Sequence, residues 1–289
     1  MIDLSPLYAL IAQLLPFECM QARFMQQAMV GMLLLAPMTA IMGIQVVNFR
    51  MAFFSDAISH SAFAGVALGL LFAVDPGWTM PAFGVVVGLG IMILQRHSNL
   101  SSDTVIGVFF SGMVAFGLAI VSRDRSLARD LQRFLYGDIL TISDLQILCL
   151  IALFVGLMVF QTLSYNHLLY IGVNSALARA HRIRVAVQQY LFAGLLALVV
   201  MFSVQAVGVL LVTAMLIVPA AAARNVSRSA GGMFWWALLI NTSSVIAGLI
   251  ISAQDWARTA TGATVILVAC GWFVLSMIAS ALWRRTGFQ

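Results

Sequence analysis

The chain has 289 residues, of which 62% are hydrophobic and only 9% charged, and its mean hydropathy is +1.03. A soluble domain carries roughly a quarter charged residues, so this composition excludes a soluble globular fold. The weak ten-residue alternation of a membrane barrel is absent too. The net charge of +5 comes from fifteen arginines and no lysine, which removes the lysine of a P-loop ATPase and the amine of a Schiff-base enzyme. The sequence therefore reads as an all-α, polytopic integral membrane protein.

Residues 1–22 mix Pro6, Pro16 and Glu18 with short apolar stretches, and read as an interfacial lead-in. Met1-Ile2-Asp3 has neither the basic region nor the cleavage site of a secretory signal, so the first span is expected to direct its own insertion. Apolar runs long enough to cross a bilayer then follow at 25–47, 52–73, 79–95, 104–122, 139–162, 187–204, 206–222, 233–252 and 262–283. Only Gln205 divides the pair 187–204 and 206–222, so the count is eight or nine spans. Pro219 is placed to kink or end the second of that pair. The polar stretch 163–186 is expected to be a loop. Within it, Asn174 or Ser175 is a helix N-cap candidate, followed by a short basic helix. Gly65/Gly69 and Gly84/Gly88 have the spacing that lets helices approach closely.

A cytoplasmic C-terminus puts nine arginines inside (50, 96, 179, 182, 184, 224, 228, 284 and 285) and six outside (23, 123, 125, 129, 133 and 258), as the positive-inside bias favours. Arginines at span ends answer to topology, and no basic face suggests nucleic acid. Cys19, Cys149 and Cys270 are far apart and read as small apolar side chains.

Two polar residues stand out. Asp56 and His60 lie four apart within the run 53–72, on one face of a helix. An Asp at the centre of a membrane helix costs about 2.5–3.5 kcal/mol on insertion scales. Carboxylate oxygen with imidazole nitrogen is a ligand pair for a divalent transition metal. A hydrogen-bonded pair that locks two helices is the structural alternative. Ser55, Ser59 and Ser61 add polar atoms around the pair, and Ser55 and Ser59, each one position before a ligand candidate, could support it. Asp103 reads as a carboxylate favoured by a helix N-terminus. His97, His167 and His181 read as interfacial or solvated, and Asp255 as a loop residue. Neither HExxH nor GxSxG is present, so no enzyme motif is found.

Five stretches in order resemble the membrane permeases of zinc, manganese and iron ABC importers. They are Arg50-Met51-Ala52-Phe53-Phe54-Ser55-Asp56-Ala57-Ile58-Ser59-His60-Ser61, Ser102-Asp103-Thr104-Val105-Ile106-Gly107, and Phe134-Leu135-Tyr136-Gly137-Asp138-Ile139-Leu140. The fourth runs from Ala206-Val207-Gly208-Val209 to Pro219-Ala220-Ala221-Ala222-Ala223-Arg224, and the fifth is Thr261-Gly262-Ala263-Thr264. The resemblance spans nearly the whole chain and implies one transmembrane permease domain, 1–289. It implies a homodimer in a prokaryotic cytoplasmic (inner) membrane, two cytoplasmic P-loop ATPase subunits, and an extracytoplasmic metal-binding protein. Asp56 and His60 match the pathway metal pair. The helix near 175–184 matches the coupling segment, with Asn174, Ser175, Ala178, Arg179 and Arg182 facing the ATPase. No resident cofactor is implied, and zinc is favoured over manganese or iron as the transported ion.

The chain departs from the family pattern at Asn174, often acidic, and at Arg182, often Gly. It also departs at Ser102, often Glu, and at Arg258, near a position that is often acidic. The rival functions are a gradient-driven metal carrier and an intramembrane metalloenzyme.

Overall fold

The structure is a computed structural model that describes residues 5–14, 21–122, 142–257 and 259–285. The motif at 134–140, the arginines 123, 125, 129, 133 and 258, Pro16, Glu18 and Cys19 lie outside the described residues. Among the described residues every regular element is a helix. They are α1 (Ser5–Leu14), α2 (Arg23–Asn48), α3 (Ala52–Leu71), α4 (Pro76–His97), α5 (Ser102–Val121), α6 (Asp144–Val173), α7 (Ser175–Ala180), α8 (Val185–Val207), α9 (Val209–Val226), α10 (Ala230–Ser252) and α11 (Thr261–Arg285). Nine of these, α2 to α6 and α8 to α11, are long and apolar enough to cross a membrane. Of the eight or nine expected spans, the described residues thus supply nine candidates.

Two sequence expectations are corrected, and one of two alternatives is removed. The stretch 163–173 is helical, because α6 runs on to Val173. Polarity rises there, but Gln161, Ser164, Leu168 and Ile171 are all buried. That spacing keeps one face of the helix packed while the other turns polar. The expected loop thus begins only at Asn174. The break between α8 and α9 falls at Gly208, not Gln205. Gly208 has φ 84°, a conformation open mainly to glycine, and it ends α8 by donating to Val204 O at 2.9 Å. Gln205 lies inside α8. Pro219 does not end α9, which continues to Val226. Pro219 has no N–H for the carbonyl of Met215, and Asn241 Nδ2 donates to that oxygen at 3.3 Å instead.

The residues form two compact units. The first takes the described parts of Met1–Ile44, Asp138–Phe154 and Ala214–Gln289. Here Asn241, fully buried, also donates to Ala36 O and Thr39 Oγ1, both at 2.8 Å. One amide so joins α2, α9 and α10. Helix α10 packs on α11 at Gly248, where a Cβ would sit 2.6 Å from Val265 Cα. At the start of α6, Asp144 gathers three donors. Tyr8 of α1 donates at 2.6 Å, Gln27 at 2.8 Å and Arg23 at 3.3 Å. Burial, then the hydrogen bond to Asp144, push the Tyr8 hydroxyl up to about 12. The lead-in helix is thereby tied to its unit.

The second unit takes the described parts of Gln45–Gly137 and Val155–Thr213. Its centre is α3, which packs against α4, α5 and α8. The contact with α4 is a close glycine approach: a Cβ on Gly65 would lie 2.9 Å from Met80 Cα, and Thr79 Oγ1 donates to Gly65 O at 3.0 Å. Gly88 faces Ala197 and Ala193 of α8. Both small-residue pairs thus serve helix packing.

Candidate metal site

The turn that leads into α3 fixes where its polar residues fall. Met51 N–H donates to Val46 O at 3.0 Å and Arg50 N–H to Val47 O at 3.2 Å. Arg50 holds φ 55°. These two bonds with a left-handed residue make a Schellman stop for α2, after which α3 starts at Ala52. Asp56 and His60 then lie one turn apart on α3. His60 Nε2 is 3.9 Å from Asp56 Oδ1, and their side chains are 31% and 34% exposed.

That separation is too long for a hydrogen bond. Two donors at about 2.0–2.2 Å from one tetrahedral zinc lie about 3.3–3.5 Å apart, so a small adjustment lets both bind one ion. Among the described residues no group of three or more His, Cys, Asp or Glu could hold a metal. The arrangement therefore offers two protein donors and an open side.

Two phenylalanine rings flank the imidazole. The His60 ring stacks on Phe63 of the same helix (centroids 6.1 Å, interplanar 9°) and meets Phe110 of α5 edge to face (4.9 Å, 77°). The serines do not support the pair as the sequence suggested. Ser55 Oγ donates to Ala52 O, Ser59 Oγ to Ser55 O and Ser61 Oγ to Ile58 O. All three are buried, their protons given to the backbone of α3. Phe63 and Phe110 were not singled out in the sequence. Phe63 could have been, three residues after His60, but Phe110 belongs to another helix and carries no local signal.

The other titratable candidates lie on other elements. Asp103 is exposed in the first turn of α5, beside the Ser101 cap that accepts from Thr104 N–H at 3.2 Å. His97 Nδ1 contacts Ile93 O at 2.8 Å in the last turn of α4. His167 Nδ1 lies 3.3 Å from Gln188 Nε2. Asp255 is in the turn between α10 and α11.

The short basic helix forms as α7. Asn174 is its N-cap, accepting from Ala176 N–H at 2.8 Å and Leu177 N–H at 3.4 Å. Asn174, Ser175, Arg179 and Arg182 are exposed, whereas Ala178 is fully buried. Ala178 faces inward on α7, while Asn174 before the helix, Ser175 and Arg179 on it and Arg182 after it are exposed. Ile183 N–H donates to Ala178 O at 3.1 Å and Arg182 N–H to Arg179 O at 3.0 Å. Arg182 takes φ 58°, a left-handed position that favours Gly. His181 stacks on Tyr170 of α6 (5.3 Å, 20°).

A family model described as the ABC 3 transport family matches residues 21–280. The chain is similar to "High-affinity zinc uptake system membrane protein ZnuB" of Haemophilus influenzae, 34% identical over 248 residues that cover 85% of this chain and 93% of that protein. It is also similar to "Manganese transport system membrane protein MntC" of Listeria monocytogenes, 31% identical over 261 residues, 90% of this chain and 91% of that one. Among solved structures, "PsaBC from Streptococcus pneumoniae in complex with Fab" matches with a TM-score of 0.76 and 26% identity. That match covers 93% of this chain and 94% of the other.

Proposed function

Because the chain belongs to the ABC 3 transport family of metal-importer permeases, we propose that it is the membrane subunit of an ATP-driven importer of divalent transition metal ions, with zinc the first choice. The observation that carries this reading is the Asp56–His60 pair, 3.9 Å apart on one face of a membrane-length helix and a third exposed. Two donors with an open side suit a transit site, which has to release its ion. A closed four-ligand cage would hold it. Water, or the same pair from a second copy, completes the coordination.

Asp and His serve Zn²⁺, Mn²⁺ and Fe²⁺ alike, so manganese and iron are the alternatives. The segment Asp56-Ala57-Ile58-Ser59-His60-Ser61-Ala62 and the relative named for zinc uptake support zinc. The ion is cargo, and the chain itself is not an enzyme. Without a lysine it has no P-loop of its own, so hydrolysis falls to ATPase subunits bound to the cytoplasmic side of an inner-membrane homodimer. The segment around α7 meets that ATPase through Asn174, Ser175, Arg179 and Arg182, with Ala178 seating the helix beneath them. A binding protein delivers the ion from outside. The two units work as one permease domain, 1–289.

The experiment is a mild-detergent pull-down of the tagged full chain from its own membrane, read by mass spectrometry. A stoichiometric P-loop ATPase is the expected companion. A homo-oligomer with no ATPase would overturn the importer reading in favour of a gradient-driven carrier.

A further inference from the structure

We propose that Phe110 is a positioning residue that holds the His60 imidazole in its metal-accepting orientation; the inference rests on the metal-site reading above. The His60 ring is in contact with a second helix: Phe110 of α5 meets it edge to face at 4.9 Å and 77°. On its own helix the ring lies nearly parallel to Phe63, at 9°. An imidazole on a helix turns about two bonds. One aromatic partner of the same helix leaves it free to swing outward, whereas a second partner on a neighbouring helix closes that freedom.

The backbone makes the contact possible. Gly117 lies seven residues after Phe110, on the same face of α5, and presses on α3. A Cβ there would sit 3.1 Å from Phe63 Cβ and 3.3 Å from Ala64 N. The absent side chain lets α5 approach α3 closely enough to seat Phe110 on His60. Phe109, by contrast, faces Gly90 of α4.

The hydroxyls that could have oriented the donors do not. Ser55, Ser59 and Ser61 are all bonded to carbonyls of α3. No hydrogen bond is formed between His60 and Asp56 at 3.9 Å. Ring packing is thus what fixes the imidazole. Metal-binding histidines are ordinarily oriented by a hydrogen bond from the outer shell; here aromatic contact takes that place.

The test uses the full chain in lipid nanodiscs, with Zn²⁺ binding measured by calorimetry and Co²⁺ absorption as a report on ligand geometry. Phe110→Leu keeps apolar bulk but removes the ring. It is expected to weaken Zn²⁺ binding by about 10-fold or more, the usual size of an outer-shell loss, and to shift the Co²⁺ bands. Phe110→Tyr restores a ring and should bind within about 3-fold of the native chain, well inside that loss. Phe109→Leu removes an adjacent ring that does not touch His60 and should change neither readout. Should the leucine variant fail to fold, Phe110→Met makes the same comparison. Native binding by a folded Phe110→Leu or Phe110→Met chain, with binding lost in His60→Ala, would overturn the positioning role and leave the metal site standing. Native binding by His60→Ala would overturn both.

Discussion

Gln205 donates its side-chain amide to the carbonyl of Gly77 at 2.8 Å, the carbonyl that Pro81 leaves without a backbone donor. Pro81 lies inside α4 and has no N–H to return to the residue four before it. Asn241 does the same for Met215, four before Pro219, at 3.3 Å. In each unit a proline frees a carbonyl within a membrane-length helix and an amide side chain from another helix of that unit satisfies it. Lipid offers no donor in exchange.

This pairing makes a double-mutant cycle decisive. Gln205→Leu should destabilise the chain by about 1 kcal/mol, between the membrane average near 0.6 and the cost of a buried unpaired carbonyl. In a Pro81→Ala background the backbone supplies its own N–H, so most of that loss should vanish. Unfolding of the micelle-solubilised chain by a denaturing detergent measures both. Equal losses in the two backgrounds would mean that Gln205 stabilises the fold by some other contact.

The same residue shows what the sequence could convey. A polar side chain between two apolar runs reads as a loop, which points to Gln205 as the divide between spans. Its amide is used inside the helix instead, and the chain breaks at Gly208, where the backbone takes φ 84°. The existence of the spans was legible because hydropathy over about 20 residues is a strong signal. The extension of α6 to Val173 was not, because the helix continues there on one buried stripe after its hydropathy has fallen. Asp56 and His60 were legible from spacing alone. The ring of Phe110 was not, since only packing of α5 on α3 brings it to His60. The serines misled because a hydroxyl in a helix can return to its own backbone.

The lead-in helix should depend on Asp144. Asp144→Leu removes the acceptor of Tyr8, Gln27 and Arg23 at once, and should raise hydrogen exchange across α1 while the spans stay protected. Arg23→Ala should do far less, because its ion pair is exposed and long at 3.3 Å. Tyr8 adds a pH signature. Its hydroxyl is raised from 10.0 to about 12, so the folded state favours the neutral phenol. That stabilisation is complete below pH 10 and is lost as pH rises through about 12. Tyrosinate absorbance should contain one late component near that pH, absent in Tyr8→Phe.

Ala73 closes α3 with φ 54°, its N–H on Leu70 O at 3.4 Å and Val74 N–H on Gly69 O at 2.9 Å. It is the left-handed residue of a Schellman stop, a place where a Cβ costs about 1 kcal/mol. Ala73→Gly should raise stability by roughly 0.5–1 kcal/mol, since an alanine methyl has little else to lose. Thermal unfolding of the purified chain reads this directly, and a loss of stability would contradict the assignment.

The most direct measurement is uptake of radioactive Zn²⁺ by cells that carry Asp56→Asn or His60→Ala in place of the native chain, at matched amounts in the membrane. Each change is expected to abolish uptake while the protein remains folded and inserted. Uptake at the native rate in both variants would contradict the metal-site assignment, and would make the Asp56–His60 pair a structural feature of α3.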